Sequence, residues 1–414
     1  MKCHLVSLLC LLLAATAIFT TSCAMKIQAT ELSAGYTRTT TDPGEVTDAY
    51  LAATLDFSLK LFRETVTEDE TNDLFSPYSA LLCLGLVANG TAGTTREQLE
   101  TVLGLSVEEL NRGLYAFNQG LYSAKDCKVT TANSAWYIDN EDLITVKPSF
   151  LQKVADWYNA EQYAAPFDDT TLQDINNWGK EKTDGLIKEF LKEIPPDAVM
   201  YLVNALLFDA KWEEPYEKDD VRDWTFHNAD GTESPVEMLC SEENGYLTGE
   251  GFTGFAKRYK GNRYAFVGLL PNEGSDVSTL LGSLNGETWH TMWQHRGGSV
   301  TVKFPEFTYE GDLKLKDPLS ALGMSEMFDP SAADFSELGS SKGYTGFYCS
   351  AINQKTYIEV NRNGTKAAAI TWGEVCGNGA PMVEHFVTLD RPFLYAIVDC
   401  ETGFPLFIGA VSHL

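Results

Sequence analysis

The groups able to do chemistry in this chain are numerous but scattered. Six histidines occur, His4, His227, His290, His295, His385 and His413, and none stands at ligand spacing from another. His290 and His295 are five apart, which on a helix puts them on different faces. A lone histidine serves structure more often than catalysis. Asp168–Asp169 and Asp219–Asp220 are adjacent acids, a pattern commoner on solvated surface than in a general acid–base pair. Neither HExxH nor GxxxxGK[ST] is present. The reading is therefore no enzyme, no metal and no cofactor, with a hydrolase built on unrecognised residues kept as an alternative.

One stretch carries a pattern with a mechanical consequence. "NGTKAAAIT", Asn363 to Thr371, joins a β-like run, "KTYIEV", to a segment ending in "LDRPFLYAIV". Gly364 and Pro392 bracket the long connection 365–391, and connections of that length are usually functional or disordered. Read in alternation, one face is Thr365, Ala367, Ala369, Thr371, Gly373, Val375 and Gly377, all small and uncharged. The other face, Lys366, Ala368, Ile370, Trp372, Glu374 and Cys376, holds both charges and the one large ring. That is a strand suited to burial on one side and exposure on the other. Small side chains suit a crowded interior, where one extra methylene is felt. A turn of surface helix over "KAAAI" is the alternative, but Gly364, Gly373, Gly377 and Gly379 leave it too short to stand alone.

A strand of this kind needs a body to receive it, and the rest of the chain reads as one. Leu51, Leu55, Leu59 and Phe62 fall at helical spacing. In "FSPYSALLCLGLVANG", Ser76 is a candidate N-cap and Pro77 a first helical residue. Gly104 should end the helix of "TTREQLETVLG". "TANSAWYI" and "VMYLVNALLF" read as strands, the second as a central one. "SVTVKFPEFTYE" alternates as a strand with one buried face, and "PLFIGAVSHL" closes the chain with another. No internal linker divides residues 49–414, so the expectation is one mixed α+β domain.

Composition bounds the partners. Lys+Arg total 31 against 58 Asp+Glu, a formal charge of −27. A surface this acidic repels nucleic acid, whose binding rests on phosphate neutralisation. The cysteines outside the leader, Cys83, Cys127, Cys240, Cys349, Cys376 and Cys400, are scattered and form no CxxC pair. They read as small buried hydrophobes, except Cys376, an oxidisable thiol if exposed.

Residues 1–22 read as a signal peptide, with Lys2 and His4 ahead of an apolar run and small residues. The step into Cys23 resembles a bacterial lipoprotein cleavage site, with Thr20 where leucine is usual. This implies acylation of Cys23 and secretion across the inner membrane. The protein would be lipid-anchored in the cell envelope or extracellular, touching membrane only through that lipid. Residues 23–48, Thr-rich with Pro43 and Gly44, read as a flexible tether.

The order of motifs over Ala49–Leu414 resembles the serpin family. "NDLFSPYSA", "INNWGKEKTDGLI", "LVNALLFDAKW", "FPEFTYEGDLKLKDPLSALGMSEMFDPSAADFSEL", "YIEVNRNGTKAAAIT" and "LDRPFLYAIV…PLFIGAV" carry it. The resemblance implies three β-sheets, about nine helices and an exposed reactive-centre loop. It implies a monomeric suicide-substrate inhibitor of serine, or cysteine, endopeptidases, whose cut loop inserts into the main sheet. The family's spacing, fourteen residues on from Gly364, gives Asn378 and Gly379 as the reactive bond. Val375 or Cys376 is the alternative primary residue. Ser76, Ser79, Asn204, Trp212 and Gln354 resemble the family's sheet-opening cluster, with Gln354 replacing a histidine. Arg362 stands where a glutamate is usual and Lys366 where an acid or neutral residue is common. A non-inhibitory member used as a binding or structural module is the second reading.

Overall fold

The structure is a computed structural model and describes residues 27–39, 44–66, 72–365 and 385–414. Along the chain it runs β1 (Thr30–Glu31), α1 (Asp48–Thr65), β2 (Asp73–Phe75), α2 (Pro77–Ala88), α3 (Gly93–Leu103) and α4 (Val107–Gly120). There follow β3 (Cys127–Ile138), β4 (Thr145–Val146), α5 (Pro148–Tyr158), β5 (Glu161–Ala165), α6 (Asp169–Lys182) and β6 (Met200–Lys211). Next come β7 (Val221–His227), β8 (Glu233–Glu243), β9 (Tyr246–Gly249), β10 (Phe252–Arg258), β11 (Tyr264–Pro271), α7 (Val277–Ser283) and α8 (Gly286–Gln294). The chain ends with β12 (Val300–Pro305), β13 (Phe307–Lys314), α9 (Lys316–Ala321), β14 (Gly339–Ser340), β15 (Asn353–Asn361), β16 (Gly364–Thr365), β17 (His385–Thr388), β18 (Phe393–Asp399) and β19 (Pro405–Val411).

Among the described residues these strands form a seven-stranded sheet, β1-β5-β3-β6-β16-β15-β13, a six-stranded sheet, β2-β19-β18-β11-β10-β9, and a four-stranded sheet, β17-β12-β8-β7. A short β14–β4 ribbon is added to the three expected sheets, and the described residues hold nine α-helices, against about nine expected.

Local chemistry explains the element ends. Ser76 caps α2 by accepting from the Ser79 N–H, with Pro77 in the first turn. Gly104 closes α3 in the left-handed region. Strands β18 and β19 are buried on both faces, so they read as continuous apolar runs. One continuous core joins them to α1, α2 and the inner face of the large sheet. A smaller cluster of Trp136, Tyr163, Ile175, Trp178 and Ala205 sits between α6 and that sheet.

Two expectations need correction. "SVTVKFPEFTYE" is two strands in two sheets. β12 buries Val300, Val302 and Phe304, and the chain breaks at Glu306 before β13 joins the large sheet. The tether expected over 23–48 is not free through residues 27–39. Asp174, 1 % exposed, accepts the N–H groups of Gln28 and Ala29 at 2.8 Å each. β1 then pairs with β5 and covers an edge of the large sheet.

Candidate functional site

The seam of the large sheet lies between β6 and β15. Among the described residues these strands pair with each other nowhere, and only the two residues of β16 lie between them. Gly364 sits opposite Lys211 and Asn361, and Thr365 opposite Ala210 and Val360. Below that level residues 200–209 and 353–359 have no strand paired between them among the described residues. Backbone donors and acceptors on such edges seek a partner.

The hinge end is crowded. Gly364 has φ +151°, and a Cβ there would collide with the Ala210 carbonyl oxygen and crowd Lys211 Cα at 2.6 Å. Only glycine fits that approach. Thr365 is 3 % exposed, and its hydroxyl shares a 2.6 Å hydrogen bond with Tyr259 OH. The Tyr259 ring stacks on Trp212 with centroids 4.5 Å apart. Trp212 Nε1 donates to the Asn361 carbonyl at 2.8 Å. The Trp212 and Tyr216 N–H groups donate to the Asn363 and Arg362 carbonyls at 3.0 Å. The buried Lys257 pairs with the partly exposed Glu243, Nζ to Oε1 2.7 Å, and its ammonium lies 4.6 Å from the Tyr216 ring centroid.

Arg362 ties this turn to β8 and to the break between β12 and β13. Its N–H and Nε donate to Glu306 Oε1 at 2.7 and 3.1 Å, and Nη2 reaches Glu237 Oε2 at 3.0 Å. Both carboxylates hold the guanidinium pKa above its usual value, the bond to Glu306 first. The positive residue at this position is therefore matched by two acids.

Seven residues further down, four of the five residues expected in the sheet-opening cluster meet the first turn of α2. Ser79 Oγ donates to Asn204 Oδ1 at 2.5 Å, and Asn204 Nδ2 donates to Asn133 Oδ1 at 2.9 Å. Gln354 accepts from the Ser76 N–H at 2.7 Å and donates to the Ser76 carbonyl at 2.8 Å. One side-chain amide thus satisfies both backbone groups of a buried residue. Trp212 lies apart from these four, at the hinge. Asn204 to Lys211 is seven residues of β6, about 23 Å.

Residues 366–384 lie outside the described residues. They include Ala367, Ala369, Thr371, Gly373, Val375, Cys376, Gly377, Asn378 and Gly379, as does Cys23 at the other end of the chain. Sequence reasoning missed Tyr259, Lys257, Glu243, Glu306 and Glu237, which carry no motif and join the hinge only through folding. It also passed over two short glycine strings. Gly249–Gly254 has the spacing GxGxxG but forms the β9–β10 hairpin, so no helix N-terminus follows it. Gly339–Gly343 has the spacing GxSxG, yet Ser341 Oγ donates to the Asp142 carbonyl and accepts from the Gly343 and Tyr344 N–H groups. That hydroxyl is held in a turn, with no histidine bonded to it. No group of three or more metal-ligating side chains occurs among the described residues.

Comparison with known proteins places this geometry. The family model "Serpin (serine protease inhibitor)" matches residues 52–414. The chain is 30 % identical over 384 residues to plasminogen activator inhibitor 1 of Sus scrofa, covering 88 % of this chain and 92 % of that protein. It is 29 % identical over 374 residues to glia-derived nexin of Rattus norvegicus, covering 86 % and 91 %. The native-state crystal structure of tengpin, a thermophilic serpin, superposes with a TM-score of 0.88 at 38 % identity, covering 94 % of this chain and all of that one. The chain belongs to the serpin family, and the arrangement of sheets and helices among its described residues is the serpin fold.

Proposed function

We propose that this protein is an inhibitory serpin, a suicide-substrate inhibitor of serine endopeptidases, with cysteine endopeptidases as a further target class. The observation that carries the reading is the seam. β16 already starts a strand between β6 and β15, and no other described strand pairs with the edges below it.

The register supports the same reading. β16 is antiparallel to both neighbours, so each residue after Thr365 would pair one step lower on each. Ala367 would meet Phe208 and Ile358, and Thr371 would meet Asn204 and Gln354. Thr365 shares its inward side with Ala210 and Val360, 0 % and 1 % exposed. The small face 365–377 would follow it inward. Thr371 is the next hydroxyl on that face, and a buried hydroxyl needs partners. It would arrive where Ser79, Asn204 and Gln354 supply them.

In this mechanism the protease attacks the loop after Asn378, with Val375 or Cys376 as the alternative primary residue. Acyl-enzyme forms, the freed strand enters the seam, and the enzyme is carried with it before deacylation. We place the protein outside the cytoplasm, held by a lipid on Cys23, on the strength of its leader sequence.

Incubation with elastase-like, trypsin-like and papain-like enzymes tests the reading. It predicts a covalent complex that survives denaturing electrophoresis. Cleavage by all three without any complex would favour a binding module instead.

A further inference from the structure

The docked N-terminal segment determines where an anchor at Cys23 must pull. Asp174 receives two backbone N–H groups, and a buried carboxylate with two such donors is a strong, directional hold. The Leu32 N–H donates to the Gln162 carbonyl at 2.8 Å. Arg38 lies 4.4 Å over the Tyr115 ring, and the Thr39 N–H donates to Asp156 at 2.6 Å. The segment is bound along its length to β5, α6, α5 and α4.

Strand register places the attachment. Thr30 is level with Ala164, Ala164 with Tyr137, and Tyr137 with Met200. The hinge glycine, Gly364, is level with Lys211 at the other end of β6. The eleven residues from 200 to 211 span about 36 Å. β1 runs antiparallel to β5, so its N-terminal side faces away from the hinge. Five residues lead from Cys23 to Gln28, and even fully extended they span no more than about 18 Å.

We infer that, when Cys23 carries its lipid, the bilayer lies against the end of the large sheet opposite the hinge. The hinge at Gly364–Thr365 then faces away from the membrane. This rests on the reading of Cys23 as acylated. The short leash holds the orientation, because charge would oppose it. Asp139, Asp168 and Asp169 are exposed at this end and repel anionic headgroups.

Energy transfer tests the orientation. Full-length protein purified with its lipid is reconstituted into phosphatidylcholine vesicles containing phosphatidylglycerol and a headgroup-linked acceptor. A donor is attached through an unnatural amino acid replacing either Asp169, at the anchored end, or Glu214, exposed near the hinge. Transfer should be at least about three-fold stronger from position 169, given a separation on the scale of the sheet. A long Gly/Ser insertion between Ala24 and Met25 should equalise the two positions while intact mass still shows the lipid. Equal transfer from both positions without the insertion overturns the orientation alone. Asymmetry that persists with the insertion overturns the leash as its cause. An intact mass with no acyl group on Cys23 overturns the anchor reading and the orientation together.

Discussion

The seam between β6 and β15 is built differently at its two ends. At the hinge a strand is already present, and the fit is set by a glycine without room for a methyl, a stacked Trp212–Tyr259 pair and an arginine held by two acids. Lower down no strand separates β6 from β15 among the described residues. There the first turn of α2 touches both, through Ser79 to Asn204 and Ser76 to Gln354. The first end resembles an inserted sheet and the second a sheet waiting for insertion. In the proposed mechanism the first end is where insertion starts and the second is what it must open.

The largest effect should come from reversing the hinge end. Thr365→Arg places an unpaired guanidinium where the threonine is 3 % exposed, at a cost of about 3–5 kcal/mol. The hinge is already inside before any cleavage, so the substitution should expel β16 in the uncut protein. Covalent complex with a target protease should fall by about 100-fold or more, with cleavage retained. Lys366→Glu, on the alternate face, should leave complex formation nearly unchanged in the same gel assay.

Next in size is the lower seam. Gln354→Ala leaves the Ser76 N–H without its partner, while the Ser76 carbonyl keeps the Ala80 N–H, and Ser76 is 1 % exposed. We expect a loss of about 1–3 kcal/mol in denaturant unfolding. Faster spontaneous strand entry should accompany it, seen as loss of inhibitory capacity on mild heating. Unchanged stability would mean the lower seam holds nothing.

Asp73 lies behind this lower half, on β2, and burial raises its carboxyl pKa to about 6. A carboxyl raised on folding favours the protonated form. Its contribution is therefore fully present below the unfolded pKa and is lost as pH rises through about 6. Asp73→Asn should stabilise the protein by about 1–3 kcal/mol at pH 7.5 and have little effect at pH 4. Melting curves at the two pH values check this.

The smallest expected effect is at the half-exposed clamp. Arg362→Ala should cost about 1 kcal/mol, less at high salt, because its partners are partly solvated. A salt series of unfolding midpoints would show the difference shrinking.

What was legible in the sequence follows from range. The Ser76–Pro77 start of α2 and the Gly104 stop of α3 rest on neighbouring residues, and both could be read directly. The burial of Thr365 agrees with the alternation read from it, which is a local rule, and the rest of that face lies outside the described residues. Arg362 looked like a departure because its partners, Glu306 and Glu237, lie 56 and 125 residues away. The break at Glu306 was hidden because alternation continues across two strands that join different sheets. Residues 27–39 read as tether because a Thr-rich composition says nothing of Asp174, whose buried carboxylate receives their backbone.

The central claim is that residues 200–209 and 353–359 await the strand that follows Thr365. Amide hydrogen exchange across those two segments, before and after a single nick in the loop, tests it most directly. Exchange in both should slow sharply after cleavage, together with a rise in melting temperature. Exchange and melting temperature both unchanged in the nicked molecule would contradict the claim.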